Sequence, residues 1–346
     1  MPVETVGMGF WAPLLVSAVI ALTMPRAGRR LPPRTAAWVL VPAAVVAAGA
    51  WATVLAMIGS TLVAQIPAVA AEGHWSARML AAYTPFEWPV AASCALAVTG
   101  CAVSLGVAAW RRVKVMVDAW RECRDLPTAG DLTVLDDPVP AAFALPGPPG
   151  RVVISAGTLR AVPGAPGRVV VSSGMLRALA ADERHALLAH ERAHLRHRHH
   201  FFLLLLQLSA AVNPLLRPLS RAGSFALERW ADEEAVTTVG DRPLVARAIA
   251  RAALATGRAP ERALAATGGP VPQRVRALLA PPARARHGLV LTFTALIAVC
   301  CASLAVAAND LDGLFDAATP AQTVSQHHPE HGSRDPLEQL ESVLSR

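Results

Sequence analysis

Long uncharged apolar runs separated by arginine-rich segments dominate this chain. Such runs cover residues 6–24, 36–71, 89–110 and 288–308, and about 20 apolar residues suffice to cross a bilayer. Charged residues make up only 16% of the 346 positions, against about 25% in ordinary soluble domains. The pattern predicts a mainly α-helical, multi-pass membrane protein with four transmembrane helices.

The second run is too long for one simple span. As a single helix, residues 36–71 would measure about 54 Å, whereas the hydrocarbon core of a bilayer is about 30 Å thick. We predict a span at 36–58, with Gly59 and Pro67 able to end it and leave a surface helix. Two spans in this run remain the alternative, although they would reverse the orientation of everything that follows.

Basic residues set the predicted orientation, because loops rich in Lys and Arg remain in the cytoplasm. They follow the first and third runs: Arg26, Arg29, Arg30 and Arg34, then Arg111, Arg112 and Lys114. The first five residues carry no basic side chain, which favours an uncleaved first span over a signal peptide. We therefore predict a cell-membrane protein with its N-terminus outside and residues 111–287 in the cytoplasm.

These predictions divide the chain into four parts. Residues 1–110 form a three-span region with spans at 6–24, 36–58 and 89–110, and residues 111–287 form a cytoplasmic domain. A fourth span follows at 288–308, and then a polar, disordered tail outside the cell at 309–346. The tail contains a His-rich cluster at 327–331, for which a solvated linker is favoured over a metal site.

The strongest chemical signal is the pentapeptide His190-Glu191-Arg192-Ala193-His194. On a helix, residues four apart share a face, so the two imidazoles can bind one tetrahedral zinc ion. Glu191 points elsewhere around the helix and is placed to act as a base for a metal-bound water. The alternative is a solvated, His-rich helix end, since His197, His199 and His200 follow directly.

Two residues compete to be the third ligand. His200 has the spacing of a metzincin ligand, but no Gly breaks the helix near residue 197, and an unbroken helix would carry His200 about 15 Å away. Glu228 offers a carboxylate from a second helix and leaves the fourth position open for water. Asp232 lies one turn further on and is placed to orient a ligand imidazole. The alternative for both is an acidic helix face, which Glu233 and Glu234 would extend.

This order of motifs resembles membrane-embedded gluzincins, and most closely the BlaR/MecR-type peptidases of the penicillin-sensing antirepressor family. The HtpX and CAAX-prenyl-protease group is similar but more distant. The resemblance covers roughly residues 140–280 and includes a strand and turn at 167–176. It implies that His190, His194 and Glu228 bind one Zn²⁺ per chain and that Glu191 is the catalytic base. Fewer than 40 residues follow the last span, too few for the sensor domain of the penicillin-sensing members.

The predicted domain contains a 17-residue repeat, with residues 146–155 recurring at 163–172. Each copy offers a short strand after a Pro/Gly turn, and gluzincins commonly keep an edge strand beside the metal helix. The resemblance fits the second copy and implies that the first is an insertion, which forms either a hairpin with the second copy or a longer loop. Further helices are predicted at 225–238 and 242–256. The apolar segment 201–212 is too short to span, and we expect it at the inner leaflet or in the protein core.

We therefore predict a zinc endopeptidase whose oxyanion stabiliser is one of His199, His200 and Arg229. Its expected partners are the lipid bilayer and a protein substrate, for which the resemblance suggests a helix-turn-helix repressor. A quality-control protease and an inactive scaffold with a structural metal site are the alternatives. The net charge of +7 comes from dispersed Arg residues, so anionic lipids explain it better than nucleic acid. The sequence does not indicate an oligomeric state.

Overall fold

The computed structural model describes residues 3–123, 126, 128–147, 151–155, 158–162, 167–257, 271–281 and 286–319. The helices are α1 Val3–Gly28, α2 Pro33–Ala64, α3 Pro67–Glu72, α4 Ala77–Tyr83, α5 Trp88–Cys123, α6 Ser173–Ala178, α7 Ala181–Arg196, α8 His199–Val212, α9 Arg217–Val239, α10 Arg242–Thr256, α11 Val271–Leu279 and α12 His287–Ala318. The strands are β1 Thr128–Ala129, β2 Leu132–Leu135, β3 Ala142–Leu145, β4 Arg151–Ser155, β5 Thr158–Val162 and β6 Arg168–Ser172.

Four helices, α1, α2, α5 and α12, are long and apolar enough to cross a membrane, which confirms the predicted fold class. Helix α2 runs unbroken to Ala64, and the separate short helix α3 begins at Pro67. Gly59 does not end the span. A Cβ atom there would lie 2.9 Å from the backbone of Ala95 on α5, so the missing side chain allows α2 and α5 to approach closely.

The fourth long helix differs from its predicted extent. Helix α12 continues to Ala318, so residues 309–318, which we expected to begin a disordered tail, are helical. An apolar face explains the extension, because Leu314 and Ala318 pack against Leu80 and Ala64. The His-rich cluster at 327–331 lies outside the described residues.

Helices α8 and α9 form a hairpin that enters the bundle of long helices. Helix α8 packs against α2 and α5, and α9 packs against α1 and α2. At the tip of the hairpin, Asn213 is fully buried and its Nδ2 donates to Ser17 Oγ over 3.5 Å. Ser17 lies eleven residues before the end of α1 at Gly28, which corresponds to about 16 Å of helix. The apolar segment predicted at 201–212 is therefore packed among the long helices.

A four-stranded sheet with the order β1-β2-β6-β3 packs against α7. Strand β6, from the second copy of the repeat, is parallel to β2 and antiparallel to β3. Strand β4, from the first copy, pairs instead with β5 in a separate hairpin. The two copies therefore do not pair with each other, and β3 is the edge strand packed against α7.

The break between α7 and α8 corrects one expectation. We expected the helix to continue past residue 197, yet α7 ends at Arg196, and Arg198 adopts a left-handed conformation with φ 52° before α8 begins at His199. No Gly or Pro marks this turn. Burial of His199, which is fully inaccessible, stabilises a backbone conformation that an Arg residue rarely adopts.

Candidate active site

Helices α7 and α9 bring together the three predicted metal ligands. The Nε2 atoms of His190 and His194 lie 3.2 Å apart. The Glu228 carboxylate lies 3.6 Å from the first of these nitrogens and 3.5 Å from the second. Ligand atoms at about 2.0–2.1 Å from a tetrahedral zinc ion are about 3.3 Å from one another. The three side chains therefore fit a zinc ion, and one coordination position would stay open for water.

Glu191 lies beside this cluster and is buried. Burial raises the pKa of its carboxyl group to about 7, although the backbone N–H of Ala144 on β3 and the nearby cations act in the opposite direction. A pKa near neutrality suits a group that accepts and then returns a proton. The structure thus places the predicted base at the metal cluster and next to the edge strand.

Arg274 on α11 is a member of the site that the sequence did not reveal. Its guanidinium donates to Asp232 through Nε at 2.9 Å and Nη2 at 2.6 Å, and its Nη1 lies 2.9 Å from Glu228 Oε2. Arg274 is 5% exposed. Nothing local distinguishes it from the other Arg residues of this Arg-rich chain, because its partners lie on α9, far away in the sequence.

The two α9 carboxylates are charged despite their burial. Burial alone would raise the pKa of Asp232, but Arg274 and His190 outweigh it and lower that pKa to about 2. Burial likewise acts to raise the pKa of Glu228, and His194, His190 and Arg274 lower it to about 2. The site therefore offers two charged carboxylates to a divalent cation, and Arg274 provides part of their charge compensation.

Each ligand imidazole has a partner behind it, on the side away from the metal cluster. His190 Nδ1 lies 3.0 Å from Asp232 Oδ1, the arrangement predicted for Asp232. His194 Nδ1 lies 2.9 Å from Nδ1 of His199, an arrangement that the sequence did not predict. Burial lowers the pKa of His199 to about 2, so this ring is uncharged.

The three predicted oxyanion stabilisers do not converge on the ligand atoms of His190, His194 and Glu228 that face the metal position. His199 contacts His194 through the nitrogen that faces away from the cluster. The His200 ring packs on Phe201, with 4.2 Å between ring centroids. Arg229 has no hydrogen bond or ion pair within the described part of the chain. The cation that reaches the cluster is Arg274.

A small cavity of about 40 Å³ opens beside Glu191. Since a cavity needs about 10–15 Å³ to hold one water molecule, this cavity has room for about three or four water molecules. Apart from the site residues, its walls are largely apolar and come from β3, α6, α7, α10 and α11: Ala142, Met175, Leu187, Ile249, Ala252, Ala253, Thr256 and Val271.

Comparison with known proteins gives one family. Residues 110–209 match the model of Peptidase family M48, a region that includes His190, Glu191 and His194 but ends before Glu228. No curated protein and no solved structure matches the chain. The match covers less than a third of the sequence and does not distinguish a BlaR/MecR-type subgroup. It supports a zinc-dependent metallopeptidase of the M48 family.

Proposed function

We propose that this protein is a membrane-embedded zinc endopeptidase. The observation that carries the proposal is the convergence of His190, His194 and Glu228, with Glu191 buried beside them. Bound there, zinc would supply a Lewis acid that makes water acidic enough to be deprotonated near neutral pH. Glu191 would accept the proton from the attacking water and deliver it to the nitrogen of the leaving amine. A purely structural metal site would have no use for Glu191.

The edge strand β3 supports a polypeptide substrate. The N–H of Ser172 on β6 donates to the carbonyl of Ala141, and residues in an antiparallel pair alternate between facing the partner strand and facing away. Ala142 and Ala144 therefore direct their backbone groups away from β6, and the N–H of Ala144 reaches Glu191. We propose that substrate backbone pairs with this edge and passes the metal cluster in an extended conformation.

The membrane helices favour a substrate at the membrane surface. Arg34, at the start of α2, lies 5.7 Å from the ring centroid of Trp230, and Trp230 lies two residues beyond Glu228 on α9. The arginine-rich end of the bundle is thus close to the metal cluster. By the positive-inside rule this end faces the cytoplasm, so we propose that the enzyme cleaves a cytoplasmic or membrane-proximal protein.

A regulatory substrate is our preferred hypothesis. The resemblance to BlaR/MecR-type peptidases suggests a helix-turn-helix repressor, whereas a quality-control protease would cut many unfolded membrane proteins. Proteomic comparison of cut peptides in cells with wild-type and Glu191→Gln protein separates the two. A single regulatory protein cut at one site favours the first hypothesis, and many unrelated cut proteins favour the second.

The direct test of the chemistry is Glu191→Gln. We expect a loss of peptide hydrolysis of at least about 10²-fold, because the amide cannot accept a proton, with zinc still bound at one ion per chain. His190→Ala should lose both zinc and activity. The matched control is His185→Ala on the exposed side of α7, which should keep both. Full activity in Glu191→Gln, measured by cleavage of a peptide substrate in detergent, would contradict the mechanism.

A further inference from the structure

The two ligand imidazoles are supported in chemically different ways. The carboxylate of Asp232 lies behind His190, whereas the imidazole ring of His199 lies behind His194. A metal-binding imidazole generally donates its second ring N–H to an acceptor that fixes its orientation. His199 contacts the nitrogen of His194 that faces away from the metal position. The role of oxyanion stabiliser predicted from the sequence therefore does not fit its position.

Metal binding determines which nitrogen carries the proton in each ring. A neutral imidazole has one N–H, so a His194 ring that binds metal through Nε2 must carry its proton on Nδ1. The only direction left for the 2.9 Å contact is donation from His194 Nδ1 to His199 Nδ1. His199 must then carry its own proton on Nε2.

The surroundings of His199 hold the ring in place for this contact. The left-handed turn at Arg198 starts α8 directly at His199, and the His199 ring packs against both His197 and Trp230, with ring centroids 5.8 Å and 4.8 Å away. Its Nε2 is buried and has no hydrogen-bond partner within the described residues.

A ring is a suitable acceptor here because the site already holds three buried acidic side chains, Glu191, Glu228 and Asp232. Their counter-charges are Arg274 and, when it is bound, a divalent ion. A carboxylate in the position of His199 would add one more buried acidic group, and burying an uncompensated charge is costly.

We propose that His199 is a positioning residue that accepts the Nδ1–H of His194 and so orients this ring toward the metal. The inference rests on the proposed zinc site, because the proton arrangement follows from a metal on Nε2. It assigns His199 no contact with substrate or with the reacting water. The left-handed turn between α7 and α8 is then the feature of the backbone that makes the contact possible.

The test is zinc affinity of the purified full-length chain in detergent, measured by competition with a chelating dye. His199→Phe removes the acceptor, and we expect zinc to bind about 10- to 100-fold more weakly. His199→Asn keeps an uncharged acceptor near the same place and should stay within a few-fold of wild type. Asp232→Asn is the corresponding substitution behind His190. His200→Phe, at the next residue, is the control, and its zinc affinity should equal that of the wild type.

Wild-type affinity in His199→Phe would overturn the proposal, and so would equal weakening in the Phe and Asn variants. If His199→Phe does not fold, ring-nitrogen NMR of the zinc-loaded wild-type protein decides. The Nε2–H form of His199 supports the proposal and the Nδ1–H form overturns it. Failure of the zinc site itself gives a different result, because His190→Ala would then leave zinc binding unchanged.

Discussion

The two halves of α9 are buried to a similar degree but in opposite chemical environments. In the first half, Leu219, Ala222 and Leu227 pack in the apolar cluster formed with α1 and α2. In the second half, Glu228 and Asp232 are 7% and 1% exposed and face the imidazoles and Arg274. The first charged side chain, Glu228, directly follows Leu227, although Trp230 beyond it still packs in the apolar cluster.

This difference shows that burial has two separate physical meanings in one helix. In the apolar half, each buried side chain stabilises the fold by removing nonpolar surface from water, at about 25 cal/mol per Å². In the charged half, burial is unfavourable unless each carboxylate has a counter-charge. Substitutions in the two halves should therefore destabilise the protein for different reasons: lost charge compensation around Glu228 and Asp232, and disturbed apolar packing before them.

The largest effect is expected for Arg274→Met. Removing the guanidinium leaves Glu228 and Asp232 without their shared cation, and loss of one partner of a buried ion pair costs about 3–5 kcal/mol. We expect the thermal unfolding midpoint of the metal-free protein to fall strongly. Zinc should recover part of this loss, because it supplies positive charge to the same carboxylates. The measurement is thermal unfolding in detergent with and without zinc.

The control for this prediction is Arg276→Met on the same helix. Arg276 is exposed, so its loss should change the unfolding midpoint little. Equal effects of the two substitutions would mean that charge compensation is not what makes Arg274 important.

An intermediate effect is expected in the apolar half of α9, for Gly223→Ala. A Cβ atom at Gly223 would lie 2.6 Å from a methyl carbon of Leu206, which is itself fully buried. Overpacking of this kind costs about 1–3 kcal/mol. The unfolding midpoint should fall, while zinc stoichiometry should stay at one ion per chain. The clash is at Gly223, five residues before the metal ligand Glu228 on α9.

Gly100→Ala is the matched substitution on α5. A Cβ atom there meets nothing within 4 Å, so the change should stabilise the helix by up to about 1 kcal/mol through its higher helix propensity. If the unfolding midpoint fell as much for Gly100→Ala as for Gly223→Ala, the clash with Leu206 would not be the reason that Gly223 is needed.

The same comparison explains what the sequence could and could not predict. The long helices follow from runs of apolar residues, and His190 and His194 follow from a spacing of four, because both are local patterns. The entry of α8 and α9 into the bundle depends on contacts such as Asn213 with Ser17, which are distant in sequence. Arg274 was missed for the same reason. The position of His199 behind His194 could not be predicted either, because the helix break at Arg198 has neither Gly nor Pro.

The smallest effect expected is that of Arg198→Gly, and it tests this break directly. Arg198 has φ 52° and ψ 41°, and its side chain is exposed. A left-handed conformation costs a residue with a Cβ atom about 1–2 kcal/mol, which Gly avoids, although Gly loses more backbone entropy on folding. We expect a net stabilisation of about 0.5–1 kcal/mol, seen as a higher unfolding midpoint with unchanged zinc affinity. Arg196→Gly, in the last turn of α7, should have the opposite sign, because there Gly weakens a regular helix. If Arg198→Gly destabilised the protein as Arg196→Gly does, residue 198 would belong to a continuous helix, and His199 could not lie behind His194.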